Sequence, residues 1–383
     1  MLDRRNFLRG AALGAGALMF SPRMVFANVE TDRRFVFIIQ RGAADGLDTV
    51  IPYGDPALAG LRGSLAIDQT DMHKLDGMFA LHPSLDRLTD FYQQKQSLFI
   101  QAVASPYRER SHFDGQNVLE SGGSSPYQLK DGWLNRLSTL LPKTEEEAIA
   151  LAPTIPLALR GAAPVNSYAP SNLPEAPDDL LMRVSKLYDG DSELHALWSR
   201  AMENRGLAEA VGARQDPATV GKMAALFLAR PNGPRIAMIE TAGWDTHDAQ
   251  KQRLAAQLRG LDQMIGALHD GLGDVWKKTT VLVATEFGRT VAVNGTDGTD
   301  HGTASAAMLV GGAVQGGRVL ADWPGLASGK LYEGRDLAPT LDLDALIAIV
   351  AAESLGLDPE KTMRTLFPGR PVNKKLGGLI IGA

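Results

Sequence analysis

The chain has 383 residues, a formal net charge of −5, seven histidines and no cysteine. It therefore has no disulfide, no thiol nucleophile and no thiolate metal site. A mildly acidic chain without basic runs argues against nucleic acid as a partner, and no segment is long and apolar enough for a stable membrane span, which takes roughly 20 residues.

At the start of the chain, Arg4-Arg5 precede Phe7-Leu8, a glycine-diluted apolar run from Ala11 to Phe20, and Val25-Phe26-Ala27 with a small residue at its end. This is the layout of a twin-arginine export signal. Residues 1–27 are therefore expected to be a signal peptide, the twin-arginine export machinery a partner, and the mature protein periplasmic or secreted. Four arginines and one aspartate leave with that segment, so the mature net charge is expected to be −8. Residues 28–383 are expected to form one α/β domain, which their number allows.

Arg34 to Gln40 is a continuous apolar run and reads as a buried strand, followed by the loop RGAADGLDTVIP. Leu81 to Tyr92 reads as an amphipathic helix, with proline in its first turn, and Ser97 to Ala104 as a second buried strand. Asp114–Glu120 and Gly132–Leu141 are expected as helices and Thr154–Leu159 as a short strand. A helical excursion without chemical motifs is expected over about residues 170–230. Strands at Arg235–Glu240, Thr279–Thr285 and Ala306–Val310 follow, with a leucine stripe at helical spacing from Leu254 to Leu272 and a helix at Asp342–Leu355. Strands alternating with helices imply a mainly parallel sheet with helices on both faces.

In such a sheet, ligands collect beyond the carboxyl ends of the strands. The loops there carry Asp45 with Asp48, then Arg110-Ser111-His112, then Asp245-Thr246-His247, then Glu286 and Arg289 followed by Asp300-His301. Carboxylates mixed with imidazoles suit zinc, manganese or magnesium. Each loop also has an innocent reading: Asp245 or Thr246 as a helix cap, Glu286 to Arg289 as a salt-bridged turn, Asp300 as a turn residue. His73, His82, His195 and His269 lie elsewhere without evident acid partners and read as surface or capping residues.

RGAADGLDTVIPYGD, HPSL, RSHFDGQ, GWDTHDAQ, ATEFGRT and TDHGTAS, together with the twin-arginine start, resemble an exported bacterial family known as domain of unknown function 1501. That family in turn resembles the alkaline phosphatase and sulfatase superfamily: HPSLDRLTDF is similar to the sulfatase segment TPNLDRLA, and GTDHGTASAAMLVGG to the mutase pattern GTDHTREYVPLLVYG. The resemblance implies an alkaline phosphatase-like fold and a site for divalent ions beside a nucleophile. Its acid-imidazole pair falls on Glu286-Phe287, losing the imidazole. Its later histidine falls on His301 and its Asp-x-x-x-His pair near Asp245 and His247. Its first-strand aspartate falls near Asp45, or on Arg41 by direct alignment, and its nucleophile on His112 or one place earlier on Ser111.

The reading that follows is an exported, metal-dependent hydrolase of phosphate or sulfate esters, with a small-molecule or polysaccharide ester as substrate. Its metal ligands would be Asp245, His247 and His301, with Glu286 and Asp45 next. Ser111 would be the nucleophile, or water would attack with His112 as base or ligand. Arg110 or Arg289 would hold an anionic oxygen. The competing reading is a non-catalytic envelope binding or assembly protein with an eroded hydrolase site.

Overall fold

The computed structural model describes residues 32–142, 148–169, 178–188, 190–191, 194–195, 198–199, 202, 216–371, 373 and 376–382. The segment 1–27, expected as an export signal, and much of the excursion expected near 170–230 lie outside the described residues. In chain order the strands are β1 (Arg34–Gln40), β2 (Val50–Ile51), β3 (His73–Lys74), β4 (Ala80–Leu81), β5 (Ser97–Ala104), β6 (Ala148–Leu151), β7 (Asn166–Ser167), β8 (Ile236–Thr241), β9 (Thr279–Thr285), β10 (Ser305–Val310), β11 (Arg318–Leu320) and β12 (Leu341–Asp342). The helices are α1 (Gly46–Thr49), α2 (Leu58–Arg62), α3 (Asp86–Gln93), α4 (His112–Ser121), α5 (Trp133–Ser138), α6 (Asp178–Tyr188), α7 (Pro217–Leu228), α8 (Gln250–Leu272), α9 (Leu343–Leu355) and α10 (Pro359–Leu366). No helix among the described residues is long and apolar enough to cross a membrane.

Nine of these strands form one sheet in the order β11-β5-β10-β9-β1-β8-β6-β7, with β12 also paired to β5; β2, β4 and β3 form a small second sheet. β1 is central and pairs in parallel with β8 and β9 over its length. Its seven residues are all buried because both faces are covered. Side chains alternate across a strand. Phe35, Phe37 and Ile39 therefore join one cluster with Leu134, Leu137, Leu346 and Ile347 from α5 and α9. Val36 and Ile38 join the other, with Met223 and Phe227 of α7 and Leu254, Leu258, Leu261, Ile265 and Leu268 of α8. Each such side chain, fully buried, contributes about 1.5–3 kcal/mol. The result is a mixed, mostly parallel sheet with helices on both faces.

β10 is the exception in direction, running antiparallel to both β5 and β9. Its first residue therefore sits at the edge where its neighbours end, which brings the segment before it to the same place as the loops after β1, β5, β8 and β9.

Several local expectations are corrected. The helix expected from Leu81 starts at Asp86, because His82 builds a turn: its Nδ1 accepts from the Ser84 N–H and its carbonyl from the Leu85 N–H. Thr154–Leu159 is not a strand; Leu157–Leu159 form a 3₁₀ turn, and the sheet instead takes Ala148–Leu151. His73 and His269 do have acid partners, Asp86 at 3.1 Å and Asp270 at 2.7 Å.

Candidate metal centre

The carboxyl edge of the sheet is shaped by tight turns. After β1 the chain reverses through Gly42, at φ 117°, and a side chain there would strike the Asp245 backbone N at 2.7 Å. That close approach lets the loop after β8 lie over β1. The Gly42 N–H donates to the Glu286 Oε1 at 2.8 Å, locking the loop after β9 to the same turn. The loop after β5 ends with Arg110 at φ 58° and delivers His112 as the first residue of α4. Arg289 and His301 form an isolated antiparallel bridge, which fixes His301 opposite the end of β9.

Four groups converge there. Ligating atoms of His112, Asp245 and His301 all lie within 4.8 Å of one another. His247 joins them, its Nε2 at 3.0 Å from Asp245 Oδ1 and 3.0 Å from the His301 Nε2. The His301 Nε2 is 3.3 Å from Asp245 Oδ1, and the His112 Nε2 is 3.4 Å from Asp245 Oδ2. The groups are half-buried rather than sealed, with Asp245 and His247 facing solvent most.

The other ring nitrogens fix the tautomers. The His112 Nδ1–H donates to Glu286 at 2.8 Å, the His301 Nδ1–H to the Arg110 carbonyl at 2.8 Å, and the His247 Nδ1–H to Asp300 at 3.2 Å. With the rings neutral, each Nε2 turns a lone pair toward the Asp245 carboxylate. The His112 Nε2 is buried and has no hydrogen-bond partner. In that state the donors face one another with no N–H between the rings, an arrangement that could hold a metal ion. Spacings of 3.0–3.4 Å about Asp245 are close to the roughly 3.3 Å expected between donors about 2.0–2.1 Å from a zinc ion, while His112, Asp245 and His301 as a set span up to 4.8 Å. Carboxylate or carbonyl acceptors on the far ring nitrogens are the usual support for ligating histidines. The residues fit a divalent ion.

The titration directions of the two rings that shift are opposite. The hydrogen bond to Glu286 holds the His112 imidazole above its ordinary range, against the effect of burial. Burial raises the cost of charge on Asp245, but the Arg289 hydrogen bond and charge outweigh it and keep the carboxyl below the usual range. Burial pushes the His301 imidazole down.

Not every residue singled out in the sequence faces this group. Asp45 is 1 % exposed and caps α1. Arg62 grips both its oxygens, at 2.6 and 2.8 Å, and the Gln250 amide adds a bond at 2.6 Å. Burial works against its ionisation, yet Arg62 holds it below the usual range. Asp45 thus belongs to a buried ion cluster and has no oxygen left for a metal. Glu286 is wholly buried behind His112, bonded also by Gln116 and Thr285, so it supports a ring instead of facing the cluster. Arg289, fully buried at its side chain, donates to Asp245 at 2.6 Å and to Thr299 through two nitrogens. Arg110 donates to Asp336 at 2.9 and 2.7 Å and to Glu333. Both guanidiniums are spent on the protein's own acceptors. Ser111 precedes α4 as its N-cap, but its side chain makes no capping bond.

The innocent readings of these loops also fall away. α8 is preceded by Ala249, not capped by Asp245 or Thr246, and Glu286 and Arg289 bond elsewhere rather than to each other. Phe287, at the position where the resemblance lost an imidazole, stacks on the His112 ring with centroids 5.1 Å apart. A cavity of about 320 Å³, lined in part by Thr290, Asn294, Asp300 and Arg335, adjoins the cluster through Asp300. Sequence reasoning gave Gln250, Thr299 and Gln116 no supporting role, although Gln250 closes the motif GWDTHDAQ, Gln116 closes RSHFDGQ and Thr299 opens TDHGTAS.

An α/β sheet with a histidine-carboxylate cluster at its carboxyl edge defines the class. The family model described as "Protein of unknown function (DUF1501)" matches residues 32–367, and the chain belongs to that family. None of the curated proteins compared matches the sequence. Among solved structures, the chain is similar to the C-terminal periplasmic domain of EcEptC from Escherichia coli, with 11 % identity, 93 % of each chain covered and a TM-score of 0.43. It is similar to alkaline phosphatase from the Antarctic bacterium TAB5, with 11 % identity, 75 % of this chain and 94 % of that one covered, and a TM-score of 0.36. It is also similar to BT1596, a 2-O GAG sulfatase, with 10 % identity, 85 % and 71 % covered, and a TM-score of 0.37.

Proposed function

We propose that this protein is an exported, metal-dependent hydrolase of phosphate or sulfate esters. The single observation that supports this most is the unpartnered, buried His112 Nε2 facing Asp245, with the His247 and His301 lone pairs beside it. His112, Asp245, His247 and His301 would hold the ion. A divalent ion held there would supply charge stabilisation for the transferred group and would acidify a water molecule near neutral pH. The chain's own residues do the rest. Glu286, Asp300 and the Arg110 carbonyl hold the three rings in their tautomers. Arg289 aims the Asp245 carboxylate. Ser111 is the proposed nucleophile, since its hydroxyl is not consumed as a cap and stands next to His112. The first turn of α4 offers backbone N–H groups to an anionic oxygen, the task that Arg110 and Arg289 are not free to perform.

One observation favours the second reading, a non-catalytic envelope binding protein: both arginines expected to hold an anionic substrate are committed to carboxylates. The deciding experiment is elemental analysis of the folded protein, followed by assay of the metal-loaded chain on aryl phosphate and aryl sulfate esters. A stoichiometric ion with turnover that His301→Ala abolishes supports the hydrolase. An ion without turnover of either ester across a broad pH range supports the binding protein.

A further inference from the structure

We infer that Gln250 is a positioning residue, holding two histidine-bearing loops and, through Thr299 and Arg289, the Asp245 carboxylate in the arrangement a divalent ion requires; this rests on the metal reading above. A neutral amide has two N–H donors and two acceptor lone pairs, and in Gln250 all four are used. The amide nitrogen donates to Asp45 at 2.6 Å and to Asp48 at 3.0 Å. The amide oxygen accepts from the Thr246 hydroxyl at 2.9 Å and from the Thr299 hydroxyl at 2.6 Å.

These partners come from three separate parts of the chain. Thr246 lies between Asp245 and His247. Thr299 lies two residues before His301. Asp45 and Asp48 belong to the turn after β1. Thr299 then passes the link on. Its hydroxyl accepts from the Arg289 Nε at 3.1 Å, its carbonyl accepts from the Arg289 Nη2, and the Arg289 Nη1 donates to Asp245 at 2.6 Å. The path is continuous, and buried from Gln250 through Thr299 to Arg289, ending on the half-exposed Asp245.

The chemistry leaves little freedom of residue type. Glutamate would set a carboxylate oxygen against Asp45 and Asp48, which already outnumber Arg62 two to one. An aliphatic side chain would strip acceptors and donors from four buried groups. The backbone is also bent to deliver this residue: Ala249 sits at φ 45°, a region costly for alanine. In return the Ala249 and Gln250 N–H groups bond the carbonyls of Thr296 and Asp297, in the same loop as Thr299.

The test is titration of zinc and manganese into the metal-free full chain. The parent protein is compared with Thr299→Val, Thr299→Ser and Gln250→Met, each also melted without metal. Thr299→Val keeps the shape and removes the hydroxyl, and with it the bonds to Gln250 and to the Arg289 Nε. It is expected to weaken binding by about 10–100-fold, the range for supports of metal ligands, together with a lower metal-free melting temperature, because buried groups of Arg289 and Gln250 lose a partner. Thr299→Ser should restore most of the affinity, and Gln250→Met should lose as much as Thr299→Val. If Gln250→Met does not fold, the Thr299 pair decides. Parent-like affinity in Thr299→Val, or a loss that serine does not rescue and that simply follows a lower metal-free melting temperature, overturns the positioning role and leaves the metal reading standing. A parent protein that binds neither ion overturns both.

Discussion

His247 and His301 bring their Nε2 atoms to 3.0 Å of each other, while each ring gives its Nδ1–H to a different acceptor, Asp300 and the Arg110 carbonyl. Two lone pairs at that distance repel unless a proton or a metal ion lies between them. The relationship is built by two loops 54 residues apart in the chain, and it organises the predictions below.

Removing one ligand should weaken the ion without dissolving the fold. His247→Ala and His301→Ala each delete a half-exposed ring and leave the sheet core untouched, so metal-free melting should stay within a few degrees of the parent while ion affinity falls at least 10–100-fold. His269→Ala is the control: it lies on α8 beside Asp270 and Arg87, away from the cluster, and should bind the ion like the parent. Isothermal titration with zinc checks all three, and equal affinity across the set would refute the ligand assignment.

Asp45 should fail differently from the ligands. It and Arg62 are each 1 % exposed at the side chain, and removing one partner from a buried pair typically costs about 3–5 kcal/mol. Arg62→Met strands Asp45 and Asp48 together, where burial already pushes Asp48 up to about 6. Denaturant titration of the metal-free variant should show that loss in stability. A ligand role for Asp45 would instead show as lost ion affinity at parent-like stability in Asp45→Asn.

Gly298 offers a steric test of loop register. A methyl group there would meet the His247 backbone at 2.2 Å, and the neighbouring Thr299 N–H bonds the Thr246 carbonyl at 3.2 Å. Gly298→Ala should push the His247 and His301 loops apart. The expected result is reduced ion affinity with a destabilisation of about 1–3 kcal/mol, the range for forcing bulk into a packed site. A crystal structure of the variant with the His247 and His301 rings still in contact would contradict it.

Stability should carry a pH signature from Asp344, far from the metal cluster. Burial, and then the charge of Asp342, push this carboxyl up to about 8, although Arg370 lies 3.4 Å away. A folded pKa above the unfolded value of about 3.9 means that folding favours the protonated form. The contribution is therefore fully present below about pH 4 and is lost as pH rises through about 8. Asp344→Asn, neutral throughout, should flatten the fall in melting temperature over that window and be more stable than the parent at pH 8–9. Parallel melting curves for the two proteins from pH 4 to 9 would count against it.

The sequence by itself determined the strands and helices whose pattern is local. β1, β5 and β9 lie where continuous apolar runs placed them, and the leucine stripe became α8, because burial on two faces or one face leaves a direct imprint on residue spacing. It also determined which loops carry acids and histidines at the carboxyl edge. Only the tertiary structure decided what those side chains do. Asp45 was drawn from the expected ligand set into an ion cluster because Arg62, 17 residues away, reaches it first. Glu286 turned from ligand to support because His112, 174 residues away, stands between it and the cluster. β10 runs antiparallel, which no periodicity encodes, and that reversal is what places His301 beside His247. Pairings across such separations depend on how layers pack and where chains reverse, so no local pattern records them.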